Sequence, residues 1–296
     1  MFIRVNHDGF GDGLLGAPPA SFKIGGLPVG EGDAEHLLTI LGGPSPFRSF
    51  LARAMAQTTL TKPFFRVVTS VGQVPKHLRR LFTGSEGRMV GGTIDRWTRT
   101  VYVMQAPGLR EATRLEYAIH EFVHLFAHPH ATTEQQCPPP CVGTFQRAFG
   151  FGFGEGLTQV ITEDIMEAQG ISRYRDRPYE DFVTVVREVI KVFGRDAMAR
   201  AYFFGDVAAL RTTMEARWGA NHLRAVTLHT SAGDHKRVVA LIPTLEAAHR
   251  EREEASRKRA EAARKKEEAD RKRIEDLLRD SPRGGFPTPG RERPFA

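Results

Sequence analysis

No stretch of the 296-residue chain stays apolar for the roughly 18 residues that a membrane span requires. The N-terminus, Met1-Phe2-Ile3-Arg4-Val5-Asn6-His7, lacks the charged and apolar blocks of a secretory signal. The expectation is a chain made as a soluble cytoplasmic protein, for which any action outside the cell requires a non-classical or contractile injection route. Cysteine is scarce. Cys137 and Cys141 flank Pro138-Pro139-Pro140. A polyproline spacer rises about 3.1 Å per residue, which separates the two Cα atoms by about 12 Å. A disulfide wants under about 7 Å, so only a cis-proline turn would allow one. A stiff loop is expected here, and cysteine usage does not set the compartment.

A basic stripe with interleaved aromatics is also missing. The net charge of +7 and pI near 9.6 invite a nucleic-acid partner, but the charge is diffuse. Residues 246–280 carry 12 Lys/Arg against 11 Asp/Glu, and residues 281–296 carry three Arg and one Glu. The body therefore holds about +4, unremarkable for its size, and no nucleic-acid partner is expected.

Composition divides the chain into four parts. Residues 1–62 are rich in glycine and proline up to Pro46, with two short helical patterns at about 33–41 and 46–57; they form a lead-in or a cover. Residues 63–245 hold the main domain. Residues 246–280 lack a heptad seam. Pairs such as Glu253/Arg257, Glu254/Lys258, Glu261/Lys265, Glu267/Arg271 and Glu268/Lys272 each support helix by about 0.2–0.5 kcal/mol. A solvated single helix is expected, a handle for a docking partner. Residues 281–296 read as a disordered tail.

The chemistry concentrates at His120-Glu121-Phe122-Val123-His124. This H-E-x-x-H lies in a segment, Leu109 to Ala127, free of proline and glycine. Leu115, Ile119, Phe122 or Val123, and Phe126 recur every three to four residues, as a core-facing helix requires. On such a helix His120 and His124 share a face, one turn apart, where two imidazoles can hold one zinc ion. Glu121 between them is then placed to act as general base. Pro129 ends the helix, because a proline disfavours helical geometry in the residue before it.

A catalytic zinc takes three protein ligands and keeps a fourth position open. Glu155, in Gly154-Glu155-Gly156-Leu157-Thr158-Gln159, begins a second helical pattern through Leu157, Val160, Ile161, Ile165 and Ala168 to Gly170. The preceding Phe149-Gly150-Phe151-Gly152-Phe153-Gly154 run gives the backbone freedom to approach the first helix. The alternative ligand is His130, ten residues after His120, where the H-E-x-x-H-x-x-G-x-x-H pattern places its third histidine. Ala127 stands where that pattern has glycine, and Met166 lies in a helical pattern and not on a turn. The ligand set expected is His120, His124 and Glu155.

On these motifs the chain resembles the zincin metallopeptidases, and within them the gluzincins, over about Phe64 to Trp218. The segments follow the same order: strand-like Phe64 to Thr69, a hairpin-like pair Met89 to Ile94 and Thr100 to Gln105, the H-E-x-x-H helix, then the Glu155 helix. The chain is also similar in outline to small predicted metallopeptidases found beside bacterial contractile injection systems. The resemblance implies an α+β zincin-like fold: a small antiparallel or mixed sheet whose edge strand, Thr100 to Gln105, packs on the H-E-x-x-H helix and pairs with extended peptide. A mostly helical lobe and the charged helix follow. It implies one zinc per chain, a protein or peptide substrate, and Glu121 passing a proton from water to the leaving amine. Familiar gluzincins often carry a carboxylate four residues after the third ligand. Here Gln159 stands there, with Glu163 and Asp164 one turn further. Tyr174, Tyr179, Tyr202, His222 and His229 are candidates to stabilise an oxyanion. The rival expectation is a non-catalytic docking or assembly module that keeps the fold.

Overall fold

The computed structural model describes residues 21–24, 27–30, 35–56, 64–76, 78–79, 91–95, 100–104, 111–127, 144–171 and 179–280. The chain divides into two units, Met1–Leu245 and Glu246–Ala296. His128, His130, Cys137, Cys141, Tyr174 and the 281–296 tail lie outside the described residues.

A hairpin of β1 (Ser21–Ile24) and β2 (Leu27–Gly30) comes first. Helices α1 (Glu35–Gly42) and α2 (Arg48–Ala56) follow. Strands β3 (Phe64–Val68), β4 (Gly92–Asp95) and β5 (Thr100–Met104) make a three-stranded mixed sheet in the order β3-β5-β4. β5 runs parallel to β3 and antiparallel to β4. Among the described residues the helices that follow are α3 (Glu111–Phe126), α4 (Thr144–Phe149), α5 (Phe151–Ala168), α6 (Glu180–Phe193), α7 (Arg195–Phe204), α8 (Val207–Trp218), α9 (Ala220–Ser231) and α10 (His235–Asp280). At this level the chain is α+β, mainly helical around one small sheet.

Strand order corrects one expectation. Thr100 to Met104 is the central strand, paired on both sides, and the edge strand against α3 among the described residues is β4. The burial of β5 shows why. Val101 and Val103 face the main core with Phe122 of α3, while Tyr102 packs with Val68, Val74 and Leu78 on the opposite face. A strand covered on both faces belongs inside a sheet. Phe65 of β3 meets Phe122 with ring centroids 6.4 Å apart, fastening α3 to the sheet.

The other side of α3 lies on α5, which also touches α4, α6 and α9. α5 is buried continuously from Gly152 to Met166. It begins at Phe151, after Gly150 with φ of +89°, so Glu155 sits in its second turn and not at its start. The sequence suggests that the glycines of this stretch serve the approach to α3; they serve other contacts. Gly152 meets Thr230 of α9 and Phe182, Gly154 meets Gln146 of α4, and Gly156 meets Phe182 and Val186 of α6. At Gly156 a Cβ would lie 2.9 Å from the Phe182 carbonyl oxygen and Cβ. Backbone cannot yield there. Gly156→Ala should therefore cost about 1–3 kcal/mol despite up to about 1 kcal/mol gained in helix propensity. A lower urea midpoint with an unchanged slope would show it.

α6 places Phe182, Val185, Val186 and Val189 in the core, with Gly194 as its cap. Asp206 occupies the N-cap of α8 but makes no side-chain capping bond. The charged helix was expected over 246–280; α10 starts at His235 and contains Pro243. Within the second unit, Glu254–Lys258 and Glu261–Lys265 pair at 2.7 and 2.8 Å.

Candidate metal centre

Two helices supply the site. α3 presents His120 and His124, one turn apart; α5, packed against it, presents Glu155. All three are buried. His120 Nε2 and His124 Nε2 are 3.1 Å apart, and they lie 3.2 and 3.3 Å from the same oxygen, Glu155 Oε2. Among the described residues this is the group of histidine, cysteine and acidic side chains arranged to hold a metal ion.

The outer ring nitrogens are held separately. His120 Nδ1 is 2.9 Å from Gln159 Oε1. His124 Nδ1 is 3.3 Å from both Thr158 Oγ1 and the Tyr202 hydroxyl. The Thr158 hydroxyl donates to the Gly154 carbonyl (2.8 Å), so its oxygen accepts from Tyr202 OH at 2.6 Å. Both groups then face His124 as acceptors, which keeps a ring proton on Nδ1, so that the neutral form of the ring presents its lone pair at Nε2.

A tetrahedral ion with bonds of about 2.0–2.1 Å sets ligand edges of about 3.3–3.4 Å. The three edges here, 3.1, 3.2 and 3.3 Å, fit that spacing, and two imidazoles with one carboxylate suit zinc. Three lone pairs aimed at one point need a cation there. Without metal a proton on His120 serves. Burial opposes the imidazolium, but the Glu155 hydrogen bond and charge, with Glu121 and Gln159, outweigh it and raise the His120 pKa. Burial likewise works against the Glu155 carboxylate. The charge of His124 and hydrogen bonds from both histidines overcome that and hold its pKa well below the usual range.

Glu121 leaves α3 toward the sheet. A Cβ on Gly92, the first residue of β4, would fall 2.8 Å from Glu121 Cγ and 3.2 Å from its Oε1. The strand can approach this carboxylate so closely only because residue 92 has no side chain.

Four of the five oxyanion candidates lie among the described residues, and these separate cleanly. Tyr179 stacks on His120 with centroids 5.4 Å apart and planes 17° apart. Burial, with the charges of Glu155 and Glu121, raises its phenol pKa well above the usual value, so it stays a donor at neutral pH. Its φ of +61° is the only positive value for a non-glycine residue among those described, a conformation that costs on the order of 1–3 kcal/mol and is found at working sites. Tyr202 holds His124 from behind. His222 bonds to the Trp218 carbonyl (2.9 Å) and His229 to Asp234 (3.4 Å), both on other business. Glu163 and Asp164 are tied to Arg187, each at 3.0 Å.

Sequence reasoning did not single out Glu116, Thr158 or Gly92. The first two lie one turn from His120 and Glu155 (positions i−4 and i+3), so helical spacing carried the signal. Gly92 gave none, because its role depends on strand β4 meeting α3. No family model matches the chain, and no curated protein or solved structure matches it.

Proposed function

We propose that the chain is a zinc-dependent metallopeptidase of gluzincin type that hydrolyses peptide bonds in protein substrates. The observation that supports it best is the convergence of His120 Nε2, His124 Nε2 and Glu155 Oε2 within 3.1–3.3 Å, on a helix pair that also carries Glu121. A zinc ion held by these three would supply a water acidified towards neutral pH and an electrophile for the peptide carbonyl. Glu121 would serve as general base, taking a proton from the attacking water and delivering it to the departing amine nitrogen. Tyr179 donates its phenol hydrogen to the oxyanion of the tetrahedral stage. Among the described residues β4 is an edge strand, to which an extended substrate backbone could add.

Elemental analysis of protein purified without added metal tests the reading. One zinc per chain, lost in Glu155→Ala and kept in His130→Ala, supports the ligand set. Loss with His130→Ala instead moves the third ligand there. No zinc in the wild type, even after reconstitution, sinks the reading and favours a docking module. For Tyr179, replacement by Phe should lower kcat about 10²–10³-fold while zinc content holds. An unchanged kcat would remove it from the mechanism.

A further inference from the structure

Gln159 occupies the position where a carboxylate often orients the zinc-binding imidazole. Its carboxamide does not act alone. Its Oε1 faces His120 Nδ1 at 2.9 Å, and its Nε2 donates to Glu116 Oε1 at 2.6 Å. Glu116 is one turn before His120 on α3, and Gln159 one turn after Glu155 on α5. Glu116, Gln159, His120 and Glu155 therefore form a chain of contacts between the two helices. Glu116 is 3% exposed and Gln159 1%. A carboxylate buried so deeply is costly to keep unless it does something for its neighbours.

A lone glutamine beside an imidazole is ambiguous. It can turn its oxygen to the ring and accept a proton from Nδ1, or turn its amino group and donate to Nδ1. The second arrangement moves the ring proton to Nε2 and takes away the lone pair a metal needs. Glu116 removes the ambiguity. Its carboxyl oxygen Oε1 accepts from Gln159 Nε2 at 2.6 Å, so the amino group of Gln159 points to Glu116 and the oxygen points to His120. We propose that Glu116 and Gln159 act together as a displaced orienting carboxylate. The negative group sits on the first helix, and the amide relays its acceptor character to His120, fixing the proton on Nδ1 and freeing Nε2 for the metal. Both are positioning residues. The inference rests on the metal reading above for its purpose, though not for its hydrogen-bond logic.

The relay can be tested by exchanging its two ends. Glu116→Gln makes the amide orientation ambiguous again, and zinc affinity should fall by about 10–100-fold, the usual effect of losing an outer partner of a ligand imidazole. The double variant Glu116→Gln with Gln159→Glu puts the carboxylate directly on Nδ1 and an amide behind it, and affinity should return to near wild type. A merely structural role for Glu116 would not be rescued by that swap. If Glu116→Gln does not fold, the double variant decides alone: tight zinc binding supports the relay, and a folded double variant that binds weakly overturns it. Equal zinc affinity in wild type and a folded Glu116→Gln also overturns it. A second readout needs no metal. In the zinc-free protein at alkaline pH, long-range proton–nitrogen spectra should show His120 protonated at Nδ1 in wild type and a mixture of tautomers in Glu116→Gln. A wild type that binds no zinc but shows this shift would refute the metal reading and leave the relay standing.

Discussion

If the chain is the metallopeptidase proposed above, Glu121→Gln should abolish peptide hydrolysis and leave the metal in place. The expected fall in kcat with casein as substrate is about 10²–10⁴-fold, on the order of 3–5 kcal/mol of transition-state stabilisation. Zinc per chain stays at the wild-type value, because Glu121 is not one of the three side chains whose atoms converge. The fold is kept as well. Gln has the shape of Glu, and the space against Gly92 that accepts the Glu121 methylene accepts the same methylene in Gln. KM should change little, since the carboxylate acts on a proton and not on the remote parts of a substrate. Activity that survived the substitution at more than about a tenth of wild type would sink the mechanism.

Removing the metal should reverse the sign of the pH dependence of stability. In the zinc-free protein the Glu155 pKa is depressed below its ordinary 4.5, so its contribution is present above that value and is lost as pH falls through the folded one. The His120 pKa is raised above its ordinary 6.5, so its contribution is full below that value and is lost as pH rises through the folded one. Both hold between 4.5 and 6.5, and the zinc-free melting temperature should decline on the alkaline side of that window. Zinc requires unprotonated imidazoles, so the loaded protein gains over the same interval. At a free zinc level 100 times its Kd the gain is about 2.7 kcal/mol, and at 1,000 times about 4.1 kcal/mol. Thermal melts with chelator and with zinc, at about pH 5.5 and about pH 8, should therefore diverge as pH rises. In Glu155→Ala the two sets of melts should run together. Parallel curves for the wild type would mean that no ion occupies the trio.

The elements that were legible are those whose signal is local. α3 follows from apolar residues at helical spacing. H-E-x-x-H directed attention to α3, and helical geometry alone brings His120 beside His124. The start of α5 was misplaced because Gly152 and Gly154 read as a flexible lead, whereas each removes a side chain where another helix presses in. The central place of β5 was missed although its residues contain it: Val101, Tyr102 and Val103 are apolar without alternation, the pattern of a strand covered on both faces. Its partner β3 lies more than 30 residues earlier in sequence, and pairing across such a distance leaves no periodic trace. α10 was begun late because Pro243 interrupts the run of good helix formers.

The polar layer between α3 and α5 can also be written as a line of text. Glu116, His120, Glu121 and His124 spell E-x-x-x-H-E-x-x-H on one helix, and Glu155, Thr158 and Gln159 spell E-x-x-T-Q on the other. Every letter has a stated partner or task at the centre, so the letters should change together or not at all, whereas the loops and the sheet around them can drift. A search with this two-part signature, indifferent to everything between its halves, can find kin of this chain that comparison over the whole length does not reach. A hit in which residue 116's counterpart has lost its carboxylate while residue 159's has gained one would be the swapped form of the same device, made by evolution instead of by mutagenesis.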